Sequence, residues 1–597
     1  MGLVLRIYSI FIFLGILGVL APFPLGAAVA CNAPNLPISG TRIVNVSTNA
    51  QLQTAMGSLQ AGDTIVIANG TYDLSSTLYV NGKNNVTIRG NSGCDNVVLL
   101  GNGMDNPNFN NVPHGVWSNS TNTTIAHLTI RDTWDNALIF NGGAQAPHVY
   151  SVKLLNAGSQ FIKANPTDAA NGIGVNDGVI EYSWLEYTNG PPATDHGAGV
   201  GYTNGLSAHA ADNWIIRGNV FKDFHTPDTA DYLWNPAVLM WNHSTNTLTE
   251  RNTFINVDRA ISYGLQDISG SDHSGGTIRN NFVYLQPGLM SAGRKAGSDG
   301  AFIIWDSPNT KVFHNTFLLN SNIFYSIEFR FASTTGGEAR NNLSDLSIHL
   351  RDGATAAMSG NYLTATSAMF VNPSGANLHL QATATAAIDQ APALAAVTND
   401  FDAEARPLGA GYDIGADEFT SSPPPPPGCT YCDDFEDGVL DPSWTYEKPN
   451  WTESNGVIHG VPQGKKAIAI ASAFAGCQNC FVESSIISSG GITSKVWVFG
   501  WLLDKKNRME LLIREDKDRI VLKQRIAGSV VAKKNGTVTL MPNTSYVIRI
   551  DFDGTQFNVL VDGVSIFTML PSGVVPSGTI GFQVSSTTAD FAYITVD

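Results

Sequence analysis

The sequence predicts an all-β chain in two parts, a parallel β-helix over residues 31–420 and an antiparallel β-sandwich over 429–597. Three observations carry that prediction. An asparagine recurs in similar surroundings, as in Ile216-Arg217-Gly218-Asn219-Val220-Phe221, Glu250-Arg251-Asn252-Thr253-Phe254 and Phe313-His314-Asn315-Thr316-Phe317. With Asn281, Asn342 and Asn361 the intervals are 33, 29, 34, 27 and 19 residues, the mark of stacked coils with one loop of variable length. Composition agrees: 58 glycines, 43% hydrophobic residues and 14% charged ones suit a turn-rich β architecture with a large core. Beyond five prolines at 423–427, which form a stiff linker, alternating runs such as Val496-Trp497-Val498-Phe499 and Tyr546-Val547-Ile548-Arg549-Ile550 indicate short sandwich strands.

Residues 1–30 read as a secretory signal peptide, with Arg6 ahead of an apolar run at 7–20 and Ala28-Val29-Ala30 as the cleavage pattern. The run is short for a membrane span, and an acylated Cys31 would want leucine where Ala28 stands. Export favours disulfides among Cys31, Cys94 and the two C-x-x-C pairs, Cys429/Cys432 and Cys477/Cys480. In a cytosolic chain those pairs would suggest zinc. A net charge of -16 without a basic tract excludes a nucleic-acid binder.

Strand side chains alternate between the two faces, so the asparagines give a register test. Thirteen residues before Asn219, Asn252, Asn315 and Asn342 stand Leu206, Leu239, Phe302 and Phe329; eleven before stand Ala208, Trp241, Ile304 and Phe331. Both columns are apolar and expected inside. The columns at ten (His209, Asn242, Trp305, Ala332), twelve (Ser207, Met240, Ile303, Arg330) and fourteen (Gly205, Val238, Ala301, Glu328) are mixed and expected outside. The Asn281 coil breaks the count and is expected to carry an insertion around Asp267 to His273. The asparagine itself is read as structural, its amide bonding backbone in neighbouring coils.

The opening segment, with Ile43-Val44-Asn45-Val46, Leu52-Gln53-Thr54-Ala55 and Ala61-Gly62-Asp63-Thr64-Ile65-Val66-Ile67, resembles the first coil of the pectate-lyase-like superfamily, most of all its chondroitinase B and alginate lyase type. Val86-Thr87-Ile88-Arg89-Gly90 and the closing Asp413-Ile414-Gly415-Ala416-Asp417-Glu418 extend the resemblance over residues 40–420. It implies a right-handed single-stranded β-helix and, from the superfamily's usual activity, cleavage of an acidic polysaccharide by β-elimination. There, calcium or Arg and His neutralise a uronate carboxylate, and a Lys, Arg, His or Tyr takes the C5 proton. Neither the paired aspartates of polygalacturonases nor the Arg-x-Pro-x-x-Arg of pectate lyases is present, so the resemblance assigns no catalytic residue.

Seven of the twelve histidines fall between His196 and Arg351. Lys295, one of six lysines in residues 31–420, sits beside Arg294 in a Gly-rich insertion and is a candidate base. Arg330 and His209, on outward columns, complete the candidate catalytic set. Glu328, Trp305, Arg294, His225 and His273 are candidate substrate contacts, Trp305 by stacking on a sugar ring. Each has a plainer reading: a solvated loop charge, a same-face ion pair between Glu328 and Arg330, a histidine bonded to a loop carbonyl. A glycoside hydrolase would need two carboxylates roughly 5 to 9.5 Å apart, Glu328 with Asp299 or Asp306.

The C-terminal module looks like the concanavalin-like jelly rolls attached to secreted carbohydrate enzymes, which implies an accessory carbohydrate-binding or surface-adhering role. Asp434 or Glu436 with Asp590 is its candidate Ca²⁺ site, and Trp444 or Trp451 a candidate sugar contact. Basic and acidic residues number 19 and 32 up to the linker and 15 and 18 after it. An acidic β-helix repels an acidic polymer unless Ca²⁺ or a basic patch intervenes. The expectation is a secreted or cell-surface monomer with a polysaccharide partner, first a lyase, alternatively a non-catalytic adhesin or a glycoside hydrolase.

Overall fold

The computed structural model describes residues 31, 33, 36–109 and 111–419 and, in the C-terminal part, 431–433, 435, 440, 444–447, 451–454, 457–462, 466–471, 480–489, 495–542, 544–573, 575 and 578–596. The signal peptide and the proline run lie outside these residues. From Arg42 to Ser359 the chain winds as a parallel β-helix, each full coil giving one short strand to each of three sheets. One coil, for example, gives Ile215–Arg217 to the first sheet, Val220–Lys222 to the second and Pro236–Trp241 to the third. Among the described residues these sheets hold twelve, ten and ten strands. A helix, Asn49–Gly57, capped by the Thr48 side chain, buries Leu52, Ala55 and Met56 in the solenoid core. Cys31 pairs with Cys94, and Cys480 is likewise in a disulfide.

The asparagine motif is the turn from the first sheet to the second. The residue before each asparagine is left-handed, with φ of 63° at Gly218, 55° at Arg251, 53° at Asn280, 49° at His314, 57° at Asn341 and 66° at Gly360. Glycine and asparagine tolerate that conformation best and fill four of the six places. The asparagine that follows points inward. Its Nδ2 donates to Oδ1 of the asparagine in the next coil at 2.9 to 3.0 Å, from Asn219 through Asn252, Asn281, Asn315 and Asn342 to Asn361. The same Oδ1 also takes the backbone N–H of the preceding asparagine, and each Nδ2 reaches a carbonyl one coil back, as from Asn281 to Thr249. Asn342 is fully buried in this ladder, which closes its sequon to glycans.

Along the third sheet, Leu206, Val238, Ile261, Phe302 and Ile327 stand in one row and Ala208, Met240, Tyr263, Ile304 and Phe329 in another, both facing the core. Leu239 and Trp241 therefore face outward and Val238 and Met240 inward, the reverse of the expected register. The turn from Trp241 to Leu248 is one residue longer than that from His209 to Ile215, and one residue flips every face. Phe329 has slid by two, which keeps it inside; Ala301 also joins the core, and Phe331 lies past its strand, half-buried. The Asn281 coil does carry an insertion, residues 264–276.

Residues 361–419 run back along the outside of the second sheet as a strap. Phe282, Tyr284, Leu318 and Leu343 of the solenoid pack there against Phe370, Leu378 and Ile414, and Phe282 stacks on Phe401 at 3.9 Å. Arg406, fully buried, donates to Glu418 at 2.6 Å and to the carbonyls of Gly415 and Ala416. Asp413 takes the N–H groups of Asp389 and Phe419, and Asp417 that of Leu380. The closing motif thus locks the strap.

The C-terminal part is an antiparallel sandwich with its own core, of a seven-stranded and an eight-stranded sheet among the described residues. Trp444 and Trp451 belong to that core, Trp444 stacking on Phe582 at 5.6 Å, so neither is an exposed sugar contact.

Candidate functional site

The outward face of the third sheet gathers the chemistry. Long connections from the second sheet, at 187–203, 223–235 and 285–299, border one side of it. Its central outward row reads Tyr79, Trp117, Ile139, Lys163, Ser207, Leu239, Ser262, Ile303, Glu328 and His349 on successive coils. Tyr79 is exposed, and its ring lies 5.8 Å from that of Trp117.

Lys163 is half-buried in the middle of this face. Its Nζ lies 2.9 Å from His209 Nε2 and 3.3 Å from Ser207 Oγ, both on the next coil. Burial pushes the Lys163 amine down to about 8, with Asp135 acting in the opposite direction. Burial, aided by the charge of Lys163, holds His209 down to about 3, so its imidazole is neutral. The Asn242 amide lies 3.2 Å from His209 Nδ1, and the Trp241 ring sits 4.6 Å from the imidazole. Ser207 Oγ and His209 Nε2 orient the amine, and the neutral amine carries the lone pair that a base needs. Tyr202 and Tyr232, from the bordering loops, stack edge to face at 5.4 Å.

Further along the axis stands a second cluster around Trp305. Its Nε1 donates to Glu328 at 2.9 Å, and the guanidinium groups of Arg259, Arg330 and Arg351 lie 5.3, 4.6 and 5.5 Å from its ring. Arg351 reaches both Glu328 and Asp299 at 3.2 Å, Arg259 also binds Asp299, and Arg330 pairs with Asp352 at 2.7 Å. Glu328 and Arg330 share the outer face but do not bond each other. Burial and Asp299 push the Glu328 carboxyl up. Glu328 and Asp299 are both committed to arginines, and Asp306 is buried and accepts backbone N–H groups of Ile268 and Asp272. Neither Asp299 nor Asp306 thus stands as a free partner to Glu328.

The three expected catalytic residues are not brought together. His209 and Arg330 are four coils apart, roughly 19 Å at sheet spacing. Lys295 sits on the short helix Ala292–Ala296 at the rim, 5.3 Å from the Phe324 ring. Arg294 is turned inward, buried against Asp258 and over the Trp234 ring, and His225 bonds Asp258 at 2.6 Å. His273 is wholly buried between Ser307 and Thr247, so it cannot touch substrate. Asp434 and Glu436 lie outside the described residues, and Asp590 bonds His459. Among the described residues one group could hold a metal ion, His379 with Asp402 and Asp417, all within the strap and off the groove. There, although burial opposes it, Asp402, Asp417 and Asp400 push His379 up to about 10. Lys163 escaped sequence reasoning: its coil precedes the first ladder asparagine, so no register placed it, and the one available signal was the scarcity of lysine.

No protein-family model and no curated protein matches the chain. Similar solved structures include an alginate lyase from Paenibacillus sp. str. FPU-7, 18% identical over 54% of this chain and 99% of that one, TM-score 0.37. A carbohydrate-binding module from Bacillus subtilis is 19% identical over 26% of this chain and 95% of that one, TM-score 0.23. A laminarinase from Flavobacterium sp. UMI-01 is 12% identical over 28% and 99%, TM-score 0.24. Each likeness covers part of this chain and says nothing of its chemistry.

Proposed function

We propose that the outward face of the third sheet is a polysaccharide groove and that the protein is a lyase acting on a uronate-containing glycan, with Lys163 as the base. The observation that carries this reading is the placement of Lys163. Its amine lies in the middle of a face lined with aromatic rings, is oriented by Ser207 and a neutral His209, and is held near a pKa of 8 by burial. A base tuned toward the working pH is what abstraction of a carbon-bound proton requires. The C5 proton passes to Nζ, the C4–O bond breaks, a C4=C5 double bond forms, and the departing oxygen takes a proton from water. Tyr79 and Trp117 on one side of Lys163 and Trp241 on the other supply flat surfaces for sugar rings.

The test is incubation with uronate-containing and neutral glycans, with and without a chelator. An unsaturated product that disappears in Lys163→Met supports the reading, and survival of activity under chelation assigns charge relief to the protein's own donors. New reducing ends without unsaturation would mean hydrolysis, and retention without cleavage would mean an adhesin; either sinks the lyase assignment.

A further inference from the structure

The outer face of the seven-stranded sheet of the sandwich departs from the polar surface usual for such a face. Alternation sends Val496, Val498, Leu511 and Phe582 into the core. Left outside is a separate apolar cluster of Ile468, Ile470, Trp497, Phe499 and Leu502. Beside it Phe499, Glu510 and Lys523 stand in register across three strands, with Arg508 opposite Arg525.

Three cations share one carboxylate there. Glu510 takes Arg508 at 2.8 Å through Nη2, Arg525 at 3.0 Å and Lys523 at 3.5 Å, although its own side chain is only 3% exposed. The carboxylate is covered by the cations it holds, whose side chains remain 17%, 27% and 18% exposed. The Arg508 guanidinium also lies 5.3 Å from the Phe499 ring. The result is a sheet face that carries the half-buried Trp497 ring and a formal surplus of two positive charges, in a chain with a formal net charge of -16.

We propose that this face binds an acidic polysaccharide, with a sugar ring on Trp497 and carboxylate or sulfate groups on Lys523 and Arg525. Charge complementarity selects an anionic occupant. Fixed, half-buried cations on a flat sheet suit a polymer of anionic rings; the apolar cluster is itself largely buried and has little to insert into a lipid surface. The proposal does not depend on the groove of the β-helix being catalytic. It also offers an acidic solenoid a way to be held on a polymer of its own sign.

The experiment uses the full chain, titrated with alginate, polygalacturonate and neutral dextran over a series of salt concentrations. Wild-type protein should bind the two acidic polymers with salt-dependent affinity. Lys523→Gln/Arg525→Gln should weaken that binding about tenfold, equivalent to about 1.4 kcal/mol, with a shallower salt dependence, and adding Glu510→Gln, which removes the buried charge that the two cations covered, should not restore it. The same comparison in a Lys163→Met background, where the groove cannot cleave the polymer, should show the same tenfold difference between parent and double variant, which separates failure of this proposal from failure of the lyase reading. Equal binding by wild type and the double variant, preference for dextran, or binding confined to phosphatidylserine vesicles would each overturn it.

Discussion

Lys163 illustrates how one residue can be set for chemistry by its surroundings. Its amine is held near 8 because burial disfavours the charged form more than Asp135 favours it. Only the neutral amine can accept a proton, so kcat/KM on a uronate substrate should rise with pH through about 8 and level off above it. Asp135 raises the lysine pKa, so Asp135→Asn should move that rise to lower pH. A shift in the other direction would mean that Asp135 does not set the charge of Lys163. Lys163→Met should reduce kcat by about 10²–10⁴-fold, the usual weight of a positioned base. A variant with a tenth of wild-type kcat or more would place the base elsewhere.

The asparagine ladder is the element on which the register of the solenoid rests. Replacing Asn281 by alanine removes Oδ1, which accepts from both the backbone N–H and Nδ2 of Asn252; Nδ2 keeps the carbonyls of Ile216 and Glu250, and the buried backbone N–H is orphaned. The expected cost is about 1–3 kcal/mol in denaturant unfolding. Asn361→Ala, at the half-buried end of the ladder, should cost less; equal costs would mean that burial is not what makes the ladder matter. The ladder was legible in the sequence because spacing reports a repeated turn directly. The faces of the third sheet were legible where the next turn kept its length or changed it by two: Phe302, Trp305, Ile304 and Phe329 fell on the expected faces, whereas one extra residue after Trp241 inverted Leu239 and Trp241. The site was less legible still. A base is defined by what lies across the sheet from it, here Ser207 and His209, and pairing between coils leaves no trace in a single sequence when the coil has no motif of its own.

At the scale of the molecule, the solenoid exposes two unlike flanks, a polar and aromatic groove on the third sheet and an apolar face on the second that the strap covers. Arg406 holds the strap, so Arg406→Met should cost about 3–5 kcal/mol by leaving Glu418 buried and unpaired. Arg406→Met/Glu418→Leu should recover part of that loss, because an apolar pair needs no counter-charge. The strap also carries the pH dependence of its own docking. His379 is raised to about 10 by Asp402, Asp417 and Asp400, against an unfolded value of about 6.5. A folded-state pKa above the unfolded one stabilises the charged form, so this contribution is complete below about 6.5 and fades as pH climbs toward 10. His379→Leu should therefore cost more stability at pH 6 than at pH 10, read from denaturant midpoints at the two values. Phe282 of the solenoid and Phe401 of the strap flank the His379 ring at 5.1 and 5.6 Å and should become accessible to an apolar dye as the imidazolium loses its proton. A variant equally destabilised at both pH values would show that packing of the ring, and not its charge, holds the strap down.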